Sequence, residues 1–154
     1  MMELMATVTI IGMFAGLSVV LLPQSMGALG SRVDARRLFR DLMQTRSRAI
    51  ATGDDHRISF QKSGKKIVGY MVERLTPNGQ VSPVDVVYMF NKDVDATTTN
   101  GESVTFTFEG TSSGATNIAL SSLQSQWNVS IATQTGFISY TQVTTGEGRP
   151  TPIR

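Results

Sequence analysis

The chain has 154 residues, no cysteine, a single histidine (His56) and a formal net charge of +2. That length leaves room for one modest domain beside any long apolar segment, because domains cluster near about 100–150 residues. The absence of cysteine excludes disulfides, thiolate metal sites and a cysteine-linked lipid, and one histidine cannot build a histidine-rich metal cluster.

Residues 4–22 are uncharged and mostly apolar, with Glu3 in front and Pro23 behind. At roughly 1.5 Å per residue this run makes a helix of about 28 Å, close to the bilayer hydrocarbon thickness of about 30 Å. No Lys or Arg precedes it, so it lacks the basic region of a cleaved signal peptide and is expected to stay in the mature protein. Gly12 and Gly16 form a G-x-x-x-G pair, which lets a second helix approach closely. Pro23 removes a backbone donor and should bend the helix without necessarily ending it, while Gly27 and Gly30 loosen the following turns.

From there the pattern is amphipathic, with Ala35, Leu38, Phe39, Leu42, Ala49 and Ile50 on one face and Arg37, Arg40 and Arg48 turned away. Arg46 falls within the apolar face, where it must snorkel or meet a carboxylate. Gly53 and Asp54 supply a C-terminal stop. Six arginines between positions 32 and 48 face only Asp34 and Asp41, whereas beyond Gly53 eight basic residues face nine acidic ones. The positive surplus therefore belongs to one helix and is not the broad basic face of a dedicated nucleic-acid binder. By the positive-inside rule this flank would hold the chain in the cytoplasm; a basic leader ahead of the apolar run would reverse that balance, and a long domain can translocate despite its charges, so these residues alone leave the orientation open.

After Asp55 the period becomes two, and strands are predicted over 57–61, 66–74, 84–90, 103–108, 116–120, 127–133 and 136–143. Val104, Phe106 and Phe108 alternate with Thr105 and Thr107, and Trp127, Val129 and Ile131 with Asn128 and Ser130, the pattern of an antiparallel sheet with one solvated face. Asn78-Gly79 and Asn100-Gly101 supply turn chemistry, and Gln134-Thr135 before Gly136 predicts a tight hairpin. The tail, 144–154, carries Gly146, Gly148, Pro150 and Pro152 and reads as mobile. These patterns predict an α+β chain in which one long N-terminal helix, membrane-spanning first and amphipathic later, packs on an antiparallel β-sheet head. Its parts are 1–30, a transmembrane and assembly helix; 31–53, its amphipathic continuation; 54–143, the head; and 144–154, the tail.

Gly110-Thr111-Ser112-Ser113-Gly114 matches the G-x-S-x-G pattern of a nucleophile elbow. That device needs a helix after the serine and a base later in the chain, whereas here a strand-like segment follows and His56 comes earlier. A loop between strands accounts for the glycines and serines, and no catalytic residue is assigned. Asp93, Asp95, Thr97, Asn100 and Glu102 cluster oxygen ligands, but Thr98 stands where an EF-hand needs glycine, so a solvated acidic loop is expected in preference to a calcium site. His56, beside Asp54, Asp55 and Arg57, reads as an exposed helix-end residue.

Three stretches together carry a family resemblance. Glu3-Leu4-Met5 with Ile10-Ile11-Gly12 resembles the N-terminal segment of type IV pilin-like proteins. Asp41-Leu42 through Arg46-Ser47-Arg48-Ala49-Ile50 resembles the Leu-x-x-Ala-Arg-Ser-Glu-Ala-Ile helix end of minor pseudopilins, with Thr45 and Arg48 departing from it. Val104-Thr105-Phe106, Gly110, Gly114, Ile118-Ala119-Leu120, Val129-Ser130-Ile131 and Gly136 resemble the family's paired head strands. More narrowly, the chain resembles the H-type minor pseudopilins of type II secretion systems and the related FimT-type minor pilins.

The resemblance implies a precursor whose basic leader is cut by a prepilin peptidase; relative to that pattern, the leader and about two mature residues are absent ahead of Met1. It implies a single-pass protein of the bacterial inner membrane, head in the periplasm, that enters a pseudopilus, with Glu3, Gly12, Gly16 and Pro23 as assembly residues. Burying a lone carboxylate costs about 2.5–3.5 kcal/mol on insertion scales; a neighbouring subunit's N-terminal amine would offset that at Glu3 and set the helix register. The implied partners are other pseudopilins, the secretion machinery and the membrane, with no cofactor or metal. The FimT side of the resemblance implies an alternative, DNA binding during natural transformation through Arg149 and Arg154, with contacts that would be weak and salt-sensitive.

Overall fold

The structure, a computed structural model, describes residues 2–64, 66–76, 78–99, 101–114, 117–122 and 125–143, with the side chains of 2–10, 12 and 14–28 outside the description. One helix, α1 (Met2–Thr52), is followed by strands β1 (Asp55–Ser63), β2 (Lys66–Leu75), β3 (Val81–Pro83), β4 (Tyr88–Met89), β5 (Asp95–Thr99), β6 (Ser103–Phe106), β7 (Ser112–Gly114), β8 (Asn117–Ser121), β9 (Gln126–Ile131) and β10 (Ile138–Val143). Pro23 does not end the helix, as expected. It stops where predicted: Gly53 takes φ +72°, a conformation that costs glycine no Cβ clash, and its N–H bonds the Ala49 carbonyl at 3.0 Å.

Every strand pairing is antiparallel, in the order β10-β9-β8-β5-β2-β1-β6-β7, with β3 and β4 along β2. The sheet has two lobes. They join through the single pair Ile67↔Ala96 between β2 and β5. At their far ends they meet again, where Ser112 N–H donates to the Thr133 carbonyl at 2.9 Å and its hydroxyl to the Ala132 carbonyl at 3.2 Å. The sheet thus curls around α1 instead of lying flat beneath it.

The curl encloses the core. Ala35, Leu38, Leu42 and Ala49 from α1 are fully buried against Ile58, Val104, Phe106, Ile118, Leu120 and Val129, and each such Leu or Ile contributes about 1.5–3 kcal/mol of transfer free energy. Alternation sets which strand residues enter: β8 and β9 bury every second side chain. The predicted apolar face of α1 holds except at its end, since Ile50 is 52% exposed.

Several sequence expectations are corrected. β1 begins at Asp55, so His56 shares the inward phase of Ile58 and Phe60 and is buried, not exposed at a helix end. The 84–90 stretch is not one strand: only Tyr88–Met89 pairs with β2. The whole stretch is a strap that Val84 and Phe90 also tie to β2, through the Val72 and Val68 carbonyls, and that meets α1 where Asp85 reaches Arg48 and Tyr88 reaches Asp34. The acidic loop is instead strand β5, whose alternation sends Asp95 and Thr97 outward while Ala96 is buried. Asp95 pairs with Lys66 and Glu102 with Lys62, so the carboxylates that a calcium loop would gather are dispersed, and the described residues contain no metal-binding cluster. Among the described residues no helix is long and apolar enough to cross a membrane; the apolar side chains of 4–22 belong almost entirely to the part not described.

Candidate functional site

The polar residues of α1 converge on the seam between helix and head. Asp34, Arg37, Asp41 and Arg48 recur at offsets of three, four and seven, which places them on one flank of a helix with 3.6 residues per turn. That flank faces the strap and β2. Asp34 is only 3% exposed; its carboxylate accepts the Tyr88 hydroxyl at 2.6 Å and the Asn91 backbone N–H at 2.8 Å. One turn earlier, Gly30 admits the Asn91 side chain: a Cβ there would lie 3.0 Å from its amide nitrogen.

The Arg37 guanidinium sits 3.9 Å from the centroid of the Tyr88 ring, a cation–π contact, and 3.8 Å from the Asp41 carboxylate. Asp41 in turn accepts the Tyr70 hydroxyl at 2.6 Å. Burial, then the hydrogen bond to Asp34, pushes the Tyr88 phenol up to about 12, and burial followed by the Asp41 bond drives Tyr70 further in the same direction. Both phenols therefore stay protonated donors at neutral pH. Tyr70, Tyr88 and Phe90 pack ring to ring at 5.3–6.0 Å. Higher up, Arg48 reaches Asp85 of the strap at 3.9 Å.

The other flank is held differently. Ser31 lies within hydrogen-bonding distance of Ser125 (2.7 Å) and Ser122 (3.1 Å) in the β8–β9 turn. Phe39 packs on Tyr140 at 5.8 Å, and Tyr140 stacks on Trp127 at 4.7 Å with ring planes 6° apart. Among the described residues Arg46 meets no carboxylate. Its Nε donates to the Gly110 carbonyl at 3.0 Å and its Nη2 to the Thr135 carbonyl at 3.2 Å, so one guanidinium bridges the β6–β7 turn and the β9–β10 turn where the two lobes close. Sequence reasoning found the odd position of Arg46 but not its carbonyl partners, which only folding brings together.

The remaining expected sites separate clearly. His56, Phe106 and Ser112 occupy one row across β1, β6 and β7, so Phe106 stands between the histidine and the serine, and Ser112 is held by backbone carbonyls. The G-x-S-x-G segment is a β-turn and edge strand, with Gly110 at φ +82° and Gly114 at φ +100°. The backbone of Glu3, Gly12, Gly16 and Pro23 belongs to α1, but their side chains lie outside the description, as do Arg149 and Arg154 altogether.

A single long helix gripped by a curled antiparallel sheet is the architecture of pilin-like proteins, and the family model for type II transport protein GspH matches residues 34–136. The chain belongs to the GspH family. That match runs from Asp34 of α1 through the head to Gly136, short of β10, and it makes this GspH-family chain a minor pseudopilin of type II secretion, structural in character. No curated protein sequence matches it significantly. Among solved structures, two of the minor pseudopilin EpsH from the type II secretion system of Vibrio cholerae are similar in fold. One has TM-score 0.61 at 14% identity over 77% of this chain and 99% of that one; the other has 0.57 at 11% over 78% and 97%. The type IV minor pilin FimU of Pseudomonas aeruginosa is similar at TM-score 0.56 and 22% identity, over 71% of this chain and 90% of that one. No observation favours the DNA-uptake reading.

Proposed function

We propose that this GspH-family subunit waits in the bacterial inner membrane by residues 4–22, head in the periplasm, and is then drawn into a pseudopilus where its helix packs among those of other pseudopilins. The observation that supports this reading is the seam. Asp34, Arg37, Asp41, Arg46 and Arg48 tie α1 to the head from both flanks, so a displacement of the helix carries the head with it. A helix used as an assembly handle needs that rigidity.

In this reading Glu3 pairs with the N-terminal amine of a neighbouring subunit and sets axial register, because an unpaired carboxylate among packed apolar helices is costly. Gly12 and Gly16 allow close helix approach and Pro23 accommodates the bend. The other pseudopilins and the secretion machinery are the partners, and a prepilin peptidase trims the precursor. Glu3→Ala is expected to leave the head folded by circular dichroism while abolishing incorporation into sheared pseudopili and the secretion that depends on them. An assembled, secreting Glu3→Ala variant would remove the register role.

A further inference from the structure

Strand β10 ends the sheet, and no described strand pairs with its outer side. The Ala132 N–H donates to the Phe137 carbonyl, and antiparallel ladders alternate. The backbone groups of Ser139, Thr141 and Val143 therefore turn toward β9, and those of Ile138, Tyr140 and Gln142 turn away from it. The strand reads Ile-Ser-Tyr-Thr-Gln-Val. It carries no charge, no proline and no bulge, the devices by which edge strands are normally guarded against pairing.

Alongside this edge runs the helix flank that carries Arg32 and Arg36. Phe39 packs on Tyr140, and Arg36 and Arg32, three and seven residues before Phe39, share that flank of the helix; the two guanidiniums pull the Tyr140 phenol down against the rise that burial causes. Both arginines are exposed. Arg37, Arg40 and Arg48 each lie within 3.9 Å of a carboxylate; neither Arg32 nor Arg36 has such a partner among the described residues. Four helical residues advance about 6.0 Å, and two strand residues advance about 6.6 Å. A strand laid along β10 with acidic side chains at alternate positions would therefore present one carboxylate to each arginine.

We propose that the β10 edge, with Arg32 and Arg36, is a docking site for an extended acidic segment of a partner protein, which adds to the sheet as a further strand. Backbone pairing supplies the affinity and the two arginines select the sequence. A second copy is a poor occupant, since it would bring the same uncharged strand and the same two cations. A nucleic acid is poor as well, because phosphates satisfy the edge N–H groups but repel its carbonyls. This inference rests on the geometry of the edge and is independent of whether the chain assembles into a pseudopilus.

Trp127, the only tryptophan, stacks on Tyr140 and reports on the site. The full chain in detergent would be titrated with a blocked octapeptide of alternating glutamate and valine. A saturable change in Trp127 fluorescence is expected, with affinity falling about tenfold or more in Arg32→Gln/Arg36→Gln or when glutamine replaces glutamate in the peptide. A proline at the centre of the peptide should abolish binding, since it removes a ladder donor. No fluorescence change with the acidic peptide, equal binding of the glutamine peptide, or tolerance of the proline would overturn the proposal. So would a response to oligodeoxythymidylate that matches or exceeds the peptide's. Glu147→Gln, which removes the only acidic side chain after β10, should leave the affinity unchanged; a tenfold gain would make the chain's own tail the occupant and overturn a partner strand.

Discussion

Arg46 and Asp34 both place a charge against the packed side of α1, and each is stabilised by neutral partners. Arg46 donates to two carbonyls, and Asp34 accepts a phenol and a backbone N–H, bonds to charged groups worth about 1.5–3 kcal/mol each. Arg46→Ala is expected to lower unfolding free energy by about 2 kcal/mol in urea titrations. Beside it, Gly136 takes φ +61° and a Cβ there would fall 2.0 Å from the Gly110 carbonyl oxygen. Gly136→Ala should therefore cost about 3 kcal/mol or more, in the same assay, because strain and clash add. Tyr88 contributes a pH dependence. Its phenol is raised from 10.0 to about 12 in the folded chain, so its stabilisation is fully present below pH 10 and is lost as pH rises to 12. Thermal melts across that window should fall less steeply for Tyr88→Phe than for the native chain, with Tyr70 and Tyr140, both also raised, contributing to the slope that remains.

At the scale of elements, the strap depends on one close backbone approach. A Cβ on Gly69 would lie 2.3 Å from the Tyr88 carbonyl oxygen, where β4 pairs with β2. Gly69→Ala is expected to cost about 2–3 kcal/mol and to open the strap at residues 84–89 to limited proteolysis before the rest of the head. The helix and the strands with strict alternation were legible in the sequence, because Leu38 and Leu42 or Val104 and Phe106 announce their periods. The polar strands were not. β5 reads Asp-Ala-Thr-Thr-Thr and β7 reads Ser-Ser-Gly; their strand identity comes from neighbours that pair with them, β8 for one and β6 for the other. His56 was misplaced for a related reason, since a shift of two residues in where β1 begins decides whether it belongs to the turn or to the buried phase of the strand.

For the whole molecule, the proposed function gives α1 two jobs along one rod. Among the described residues its contribution to the interior begins at Ser31 and ends at Ala49. A chain starting at Leu29 is therefore expected to keep the fold, losing less than about 1 kcal/mol, with circular dichroism and urea midpoints near those of the full chain. Leu38→Ala/Leu42→Ala should instead remove most of the stability, at about 2–5 kcal/mol for each truncation.

The sequence by itself determined the long helix followed by a β-rich head, the apolar run behind Glu3, the amphipathic continuation and the pilin-like family, because periodicity and composition are local properties. Only the tertiary structure decided what the charges on α1 are for. Asp34 and Asp41 find tyrosines tens of residues away, Arg46 finds the closure of two lobes, and Arg32 and Arg36 are left beside a strand edge that no described strand pairs with. Those outcomes depend on how a curled sheet wraps the helix, and the register of that wrapping is set by packing between segments distant in sequence.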